Sequence, residues 1–598
     1  MKRNFRCLLA LILAVIVVIS MVSCSNDNKT PDASPSANSN ASPAASANGT
    51  TADREPYKID VFTMTGNYSG MQQGWFAKVV KDKFNIELNI ISSNIEGADT
   101  KFATMMSSGN LGDLIIFQND NDNKWKDALK ANMVLDWTKN GLLDTYGKDI
   151  VKNFSKALDK LKITYGNGSA VYGLSAKAAN MPVGPSEGKD MTEHSDMRYD
   201  LYQKLGSPKI NSLDDLLKVL KDMQKLEPKS ETGKPTYAFS MWPDWDGNMV
   251  MYVKAFAALF GYDEGDGLND AGFSLFNPEG DVQDTLKPDG WYLKALKMFY
   301  KANQMGLVDP DSISQTFNDA DTKLKDGQVL FSLFPWMSSS YNTQERQTQG
   351  KGLVFVPIKD EKVVSYSFNP RGKESNIIAI GSKAKKPERI MELINWMYTP
   401  EGFMTFFNGP KGLTWDLQDG KPVLTADGKK YLPGNPVDVP QEYGGSTYRE
   451  GVQQINFVPI DPNSVNPETN EPYDYQLWKS TLEDSPTKLI QNWREAMGGA
   501  LTTKDYLVKN NSYVLKQPVF TGKAPEVLPD NLTQKKGQVA TVIKQYSWKM
   551  IFAKNDKEFD SLLADMTKKA KGLGYDEVVK WNVDHANQVL DFLKNNKQ

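Results

Sequence analysis

Cysteine and histidine are nearly missing from this chain of 598 residues, which holds two of each. One cysteine, Cys7, sits in an apolar N-terminal stretch that reads as a removable signal, and the other is Cys24. Loss of that stretch leaves one thiol, so intrachain disulfides are excluded and an exported body must rest on a large core. With only His194 and His585 available, a Ser–His–Asp triad or a histidine-rich zinc site would have to be built on His194, since His585 falls in a helical tail. A cysteine nucleophile has no candidate beyond Cys24. Gly-x-x-x-x-Gly-Lys-Ser/Thr and strand-linked Gly-x-Gly-x-x-Gly loops are lacking too, which removes the usual phosphate cradles. Neither charge sign dominates: 70 Lys and Arg face 73 Asp and Glu in short mixed runs. That argues against a nucleic-acid partner, which calls for a basic patch. Past Met21 no run is long and apolar enough to span a bilayer.

What is present begins with Lys2, Arg3 and Arg6, followed by an apolar run from Cys7 to about Met21 and then Val22, Ser23 and Cys24. A basic start, an apolar run and a small residue before a cut are the parts of a secretory signal. The same run approaches the ~17–25 residues of a membrane-spanning helix, which is the alternative. The ending Met21–Cys24 resembles a bacterial lipobox, with Met21 where that pattern more often has Leu. The resemblance implies diacylglyceryl attachment to Cys24, cleavage after Ser23 and residues 1–23 as signal peptide. The remaining chain then carries 67 basic and 73 acidic residues, a net charge of −6. Residues 24–55 follow as a lipidated cysteine and a tether rich in Ser, Asn, Ala, Pro and Thr. Such a stretch buries too little apolar surface to offset its ordering entropy, and as a coil it reaches roughly 30 Å.

The body opens with a strand at Tyr57–Met64, a turn at Gly66–Gly70, and a helix with Phe76, Val79 and Val80 on one face. A strand at Ile86–Ile90, a helix around Asp99–Met106, a stop at Gly109-Asn110 and the apolar run Leu114–Phe117 follow. Strand and helix alternating in this way predict a parallel sheet with crossovers, and ligands at the strands' carboxyl ends. Those ends are Thr63–Tyr68 and Gln118–Asp122. Ser212 caps a helix whose stripe is Leu213, Leu216, Leu217 and Leu220. Pro387 opens another, with Ile390, Leu393, Ile394 and Met397 inside and Pro400 ending it. Asn555 and Glu558 suit a third cap, ahead of Phe559, Leu562, Leu563 and Met566. These stripes read as core, and no short internal repeat is evident.

In Met105–Ile116, Gly306–Asp311, Lys325–Phe331, Ala384–Arg389, Asn395–Gly402 and Trp548–Tyr575 the sequence resembles the solute-binding proteins of sugar-type ATP-binding-cassette (ABC) importers. It is most like the large lipoprotein branch of Gram-positive bacteria, over nearly all of the chain after Pro56. The resemblance implies an α/β, two-lobed periplasmic-binding-protein-like fold with a hinge and an interlobe ligand cleft. Crossings near Tyr165–Ser175 and Asn369–Ile380 would give residues 56–170 and 376–412 to one lobe. Residues 171–375, and mainly 413–598 with the C-terminal helices, would form the other. Some relatives that bind acidic oligosaccharides carry a calcium loop after the helix matching Leu213–Lys225. Here Glu227–Thr236 keeps the Pro and Gly but lacks the dense oxygen ligands Ca²⁺ wants, so no metal is expected there, and no cofactor.

Sugar binding needs flat apolar faces for C–H groups and planar polar groups for hydroxyls. Trp242, Asp244, Trp245 and Asp246 meet that need in a turn-rich loop, with packing beneath the loop as the alternative for both indoles. Trp336 should emerge after the strand Val329–Leu333, and Arg371 lies at the proposed hinge, facing the cleft or in a structural salt bridge. Asn119, Asp120 and Asp122 follow the third strand, Asn67 and Tyr68 the first, and Trp415 is a weaker candidate. The expected function is capture of a carbohydrate, an oligosaccharide by preference, for ABC permease subunits. The protein would be a monomer on the extracellular face of the cell membrane, held by lipid on Cys24 and without enzymatic activity. The alternatives are a surface glycoside hydrolase using a carboxylate pair such as Asp244 and Asp246, or a sensory binding protein of the same fold.

Overall fold

The computed structural model describes residues 54–595, apart from 94–97, 119–122, 187–190, 192, 265–271, 374–375, 433–436, 485, 524–525 and 527. Cys24 and its tether therefore lie outside the described residues, as do Asn119, Asp120 and Asp122.

The alternation read in Tyr57–Thr63 and Ile86–Ser92 becomes two parallel strands, paired from Tyr57↔Ile86 to Thr63↔Ser92. Leu114–Phe117 runs parallel on the other side of Tyr57–Thr63 and is buried along its whole length. Ile377–Ile380 adds next to it in the opposite direction, as Ile378↔Ile116 shows. Leu174–Ser175 and Gly70–Met71 complete the edges of a six-stranded sheet. The helix Gly74–Phe84 buries Trp75, Phe76, Val80 and Phe84 and ends on Asn85 in the left-handed conformation (φ 50°, ψ 42°), which Asn tolerates. Arg389 closes that end: its Nη2 donates to Phe84 O at 2.6 Å and Asn85 O at 3.1 Å, using carbonyls that the helix leaves unpaired. Pro387–Met397 is helical as the stripe predicts. It ends at Met397, ahead of Pro400, which also occupies the first turn of a new helix, Pro400–Asn408, capped by Thr399 Oγ1 accepting from Gly402 N at 3.0 Å.

A second core gathers the helices Leu213–Leu226, Met251–Ala258, Trp291–Gln304, Asp530–Ile551 and Asp556–Gly572. Both predicted caps form: Ser212 Oγ accepts from Asp215 N at 3.1 Å, and Asn555 Oδ1 from Glu558 N at 3.0 Å. Tyr292 Oη and Ser547 Oγ meet at 3.0 Å where Trp291–Gln304 crosses Asp530–Ile551.

The chain passes between the two cores three times, after Ala178, Val363 and Trp478. The first two passages lie side by side: Ala176 N donates to Asn376 O, Lys373 N to Ala176 O, Ala179 N to Asn369 O and Phe368 N to Gly184 O, at 2.8–3.0 Å. Gly372 is required there, since it sits at φ +75° and a Cβ would come within 2.7 Å of Ser175 Cβ. Buried side chains from Leu413 to Trp478 pack in the first core, within residues 413–598, which the sequence reading gives mainly to the second lobe. One of the contacts that hold them is Trp75, whose ring stacks on Tyr448 at 5.4 Å while its Nε1 donates to Tyr448 O at 3.0 Å. Among the described residues no helix is long and apolar enough to cross a membrane.

Candidate functional site

Three extended segments run parallel in the second lobe. Tyr237 pairs with Val329 and Phe239 with Val308, through bonds such as Leu330 N to Tyr237 O at 2.9 Å and Asp309 N to Phe239 O at 2.8 Å. The sheet continues through Phe331–Ser332 to Asp196–Arg198 and Leu353–Phe355, each antiparallel to the strand before it. At the carboxyl ends of the three parallel segments the chain turns, and each turn delivers one aromatic ring. Trp245 follows the first segment, Phe317 the one ending near Asp309, and Trp336 the one ending near Leu333.

These rings form one surface. Trp245 stacks on Phe317 with centroids 4.5 Å apart and 25° between planes, and Trp336 lies 6.1 Å from Trp245 and 5.9 Å from Phe317. Trp245 is 47% exposed and Trp336 45%, although an indole prefers burial. Trp242 is the floor: fully buried, it meets Trp245 edge-on at 5.4 Å, Phe317 at 5.3 Å, Tyr252 at 5.1 Å and Phe334 at 6.1 Å. Of the two indoles in the predicted loop, one is thus packed beneath it and the other open.

The carboxylates in that loop are engaged by the protein. Asp244 Oδ2 accepts from Phe317 N at 3.0 Å, tying the first turn to the helix Phe317–Lys325. Asp246 is buried; its Oδ1 accepts from Met251 N at 2.9 Å and its Oδ2 from Trp548 Nε1 at 2.7 Å, and burial raises its pKa. Beneath the turns, Ser240 Oγ donates to Asp309 Oδ2 at 2.7 Å, and Gln315 Nε2 to Met241 O at 2.6 Å. This buried network fixes two of the three turns against each other. Phe317 escaped the sequence reading; its only signal was the capping box Thr316–Asp319, which marks a helix start immediately after a strand and loop.

Other candidates lie elsewhere. Arg371 is half-buried at the passages between the cores, 5.7 Å from the Phe520 ring, and burial lowers its pKa. Asn67 is exposed, while Tyr68 is partly buried with its hydroxyl donating to Met71 O at 2.6 Å. Trp415 is buried, its Nε1 donating to Gly409 O at 2.9 Å. His194 is also buried, with Nδ1 2.7 Å from Asp196 Oδ1.

The loop Glu227–Thr236 does not fit calcium. Glu227 is held by Arg198 at 2.8 Å, Glu231 by Arg346 at 3.0 Å and Lys351 at 2.7 Å, and Lys234 by Asp326 at 3.3 Å. Ser230 Oγ and Thr232 Oγ1 meet each other at 2.9 Å. Ca²⁺ takes about six to eight free oxygens, and here cationic side chains already hold the carboxylates. Excess EDTA is expected to leave the melting temperature unchanged in scanning fluorimetry; a drop reversed by Ca²⁺ would place a metal in the fold.

Two cores joined by adjacent passages, with aromatic turns at carboxyl strand ends, make a two-lobed fold of the periplasmic-binding-protein type. The chain belongs to the bacterial extracellular solute-binding protein family, whose model matches residues 75–414. No curated protein matches the sequence. Among solved structures it is similar to the alginate-binding protein AlgQ2 in its calcium-free form, at 16% identity and TM-score 0.59, covering 91% of this chain and 100% of that one. It is similar to the Streptococcus pneumoniae ABC-transporter substrate-binding protein FusA, an EF-hand mutant with fructo-nystose, at 15% identity and TM-score 0.60, covering 90% and 100%. The N-glycan transport solute-binding protein NgtS of the same species gives 16% identity and TM-score 0.53, covering 91% and 100%. At these identities the likeness is one of fold.

Proposed function

We propose that this protein captures an oligosaccharide and presents it to the permease of an ABC importer, and that the solute stacks on Trp245, Phe317 and Trp336. The three-ring surface, with its two exposed indoles and half-buried Phe317, carries the reading. Its rings offer the apolar face of a sugar a wide, rigid contact, and two of them are indoles left open to solvent. The carbohydrate class agrees with the ligands named for the structural neighbours, alginate and fructo-nystose. Solute on one lobe draws the other over it, because contacts made only in the closed state shift the population toward closure. We assign no catalysis: of Asp244 and Asp246, the carboxylates nearest the rings in sequence, Asp246 is buried with both oxygens bonded to Met251 N and Trp548 Nε1, and Asp244 holds Phe317 N, so they do not form a free acid–base pair. Titration of the mature chain with a panel of oligosaccharides, followed by calorimetry and by product analysis, tests this. Saturable binding with the glycan recovered intact is expected; no binding to any member, or cleaved glycan, would overturn it.

The protein acts as a lipid-anchored monomer on the extracellular face, held by Cys24. Two or more acyl chains on that residue, at ~0.8 kcal/mol per buried CH₂, suffice for a stable anchor. Cys24→Ala is expected to leave solute affinity intact and release the protein into the medium. Retention on membranes after cleavage behind Ser23 would contradict the anchor.

A further inference from the structure

We propose that Asp196 is a positioning residue that, through Ser338, sets the Trp336 indole in the aromatic surface, on a strand whose Arg198 braces the same helix; this rests on the reading of that surface as the solute contact. Trp336 rides on Pro335–Tyr341, a helix of seven residues whose N-terminus has no side-chain cap. A helix this short does not hold its shape alone, so its position is set by what it docks on. The docking partner is the strand Asp196–Arg198, where residues two apart share a face. On the helix, Ser338 and Tyr341 are three apart and share a face as well. The two pairs meet. Ser338 Oγ donates to Asp196 Oδ2 at 2.5 Å, and the Arg198 guanidinium lies 4.8 Å from the Tyr341 ring centroid. All four side chains are buried, whereas Trp336 on the same helix is 45% exposed.

Each anchor is itself held. Asp196 Oδ1 lies 2.7 Å from His194 Nδ1, and Arg198 is paired with Asp200 and Glu227, both at 2.8 Å. Arg346 covers Tyr341 as well, at 4.1 Å, so two guanidinium groups clamp one phenol ring. The strand also binds the segment that leads into the helix, through Asp196↔Ser332 pairing and His194 N donating to Leu333 O at 2.9 Å. Strand and helix thus form one unit whose outer corner is Trp336, so shifts at Asp196 or Arg198 are passed to the indole.

The test needs no ligand for its first arm. In protein labelled with 5-fluorotryptophan, the Trp336 fluorine resonance is assigned with Trp336→Phe. Ser338→Ala and Asp196→Ala are expected to shift or broaden that resonance and leave most other indole signals in place. Asp196→Asn, which keeps an acceptor for Ser338, should restore the resonance towards its original position. An unmoved Trp336 signal in folded Ser338→Ala and Asp196→Ala would overturn the proposal, whatever the ligand. The second arm uses an oligosaccharide bound by the wild type. Each alanine variant is expected to weaken binding about 3- to 10-fold, and to add nothing in a Trp336→Ala background. Additive losses would mean that Asp196 and Ser338 do not act through Trp336. If no glycan binds the wild type, the carbohydrate reading fails while the fluorine result still decides the positioning claim.

Discussion

Replacing Trp245 and Trp336 together by alanine is expected to lower oligosaccharide affinity by about 100-fold or more, while the melting temperature falls little. Truncation of a tryptophan at the centre of an interface commonly costs ~2 kcal/mol or more; two would sum to about 1,000-fold, and the non-additivity of rings in mutual contact brings this down towards 100-fold. Folding loses less, since both indoles are nearly half exposed and their truncation opens space to solvent rather than a closed cavity in the core. Trp242→Ala is the internal contrast. That side chain is fully buried among four aromatic rings, so its removal should cost about 3–5 kcal/mol of stability. Calorimetry and thermal melts on the three variants separate the two effects. Equal affinity of the double variant and the wild type would remove the ring surface from the site.

Glu361→Gln is expected to stabilise the protein, by more as the pH rises. Glu361 is 2% exposed; its Oε2 accepts from Ile358 N at 2.8 Å, and its Oε1 has no hydrogen-bond partner among the described residues. Burial outweighs that bond and a contact from Ser195, pushing the carboxyl up from 4.5 to about 8. Unfolded chains therefore release this proton near 4.5 while the native state keeps it to about 8. Across that window the native state holds the extra proton, so this residue's contribution to stability is complete below the window and declines as pH rises through it. At ~1.4 kcal/mol per unit the total loss is about 3–5 kcal/mol at most. Glutamine keeps the shape and an acceptor for Ile358 N and cannot ionise. Urea melts at about pH 4 should thus match the wild type, and melts at about pH 8 should show a gain of a few kcal/mol. Parallel curves at both pH values would mean that the carboxyl is ionised in the native protein.

The first lobe was readable because its strands alternate or run wholly apolar, as Ile86–Ser92 and Leu114–Phe117 do, and its helices carry single stripes. Residues 413–478 were not, since they pack through isolated side chains such as Tyr448 against Trp75, and no period marks such contacts. At the site, the sequence named Trp245 and Trp336 but could not say that they meet. Their neighbourhood depends on two parallel pairings, Tyr237↔Val329 and Phe239↔Val308, between segments about 90 residues apart at most. Nor could it separate Trp242 from Trp245, since a three-residue step in an irregular turn has no fixed face. Sequence could not show either that Asp244 and Asp246 accept from Phe317 N and Met251 N, since the first of these lies 73 residues away along the chain.

A crystal structure with a bound oligosaccharide tests the central claim most directly. The account predicts a sugar ring lying flat against Trp245 and Trp336, at the carboxyl ends of the three parallel segments. A glycan held elsewhere, with both indoles still bare to solvent, would contradict it.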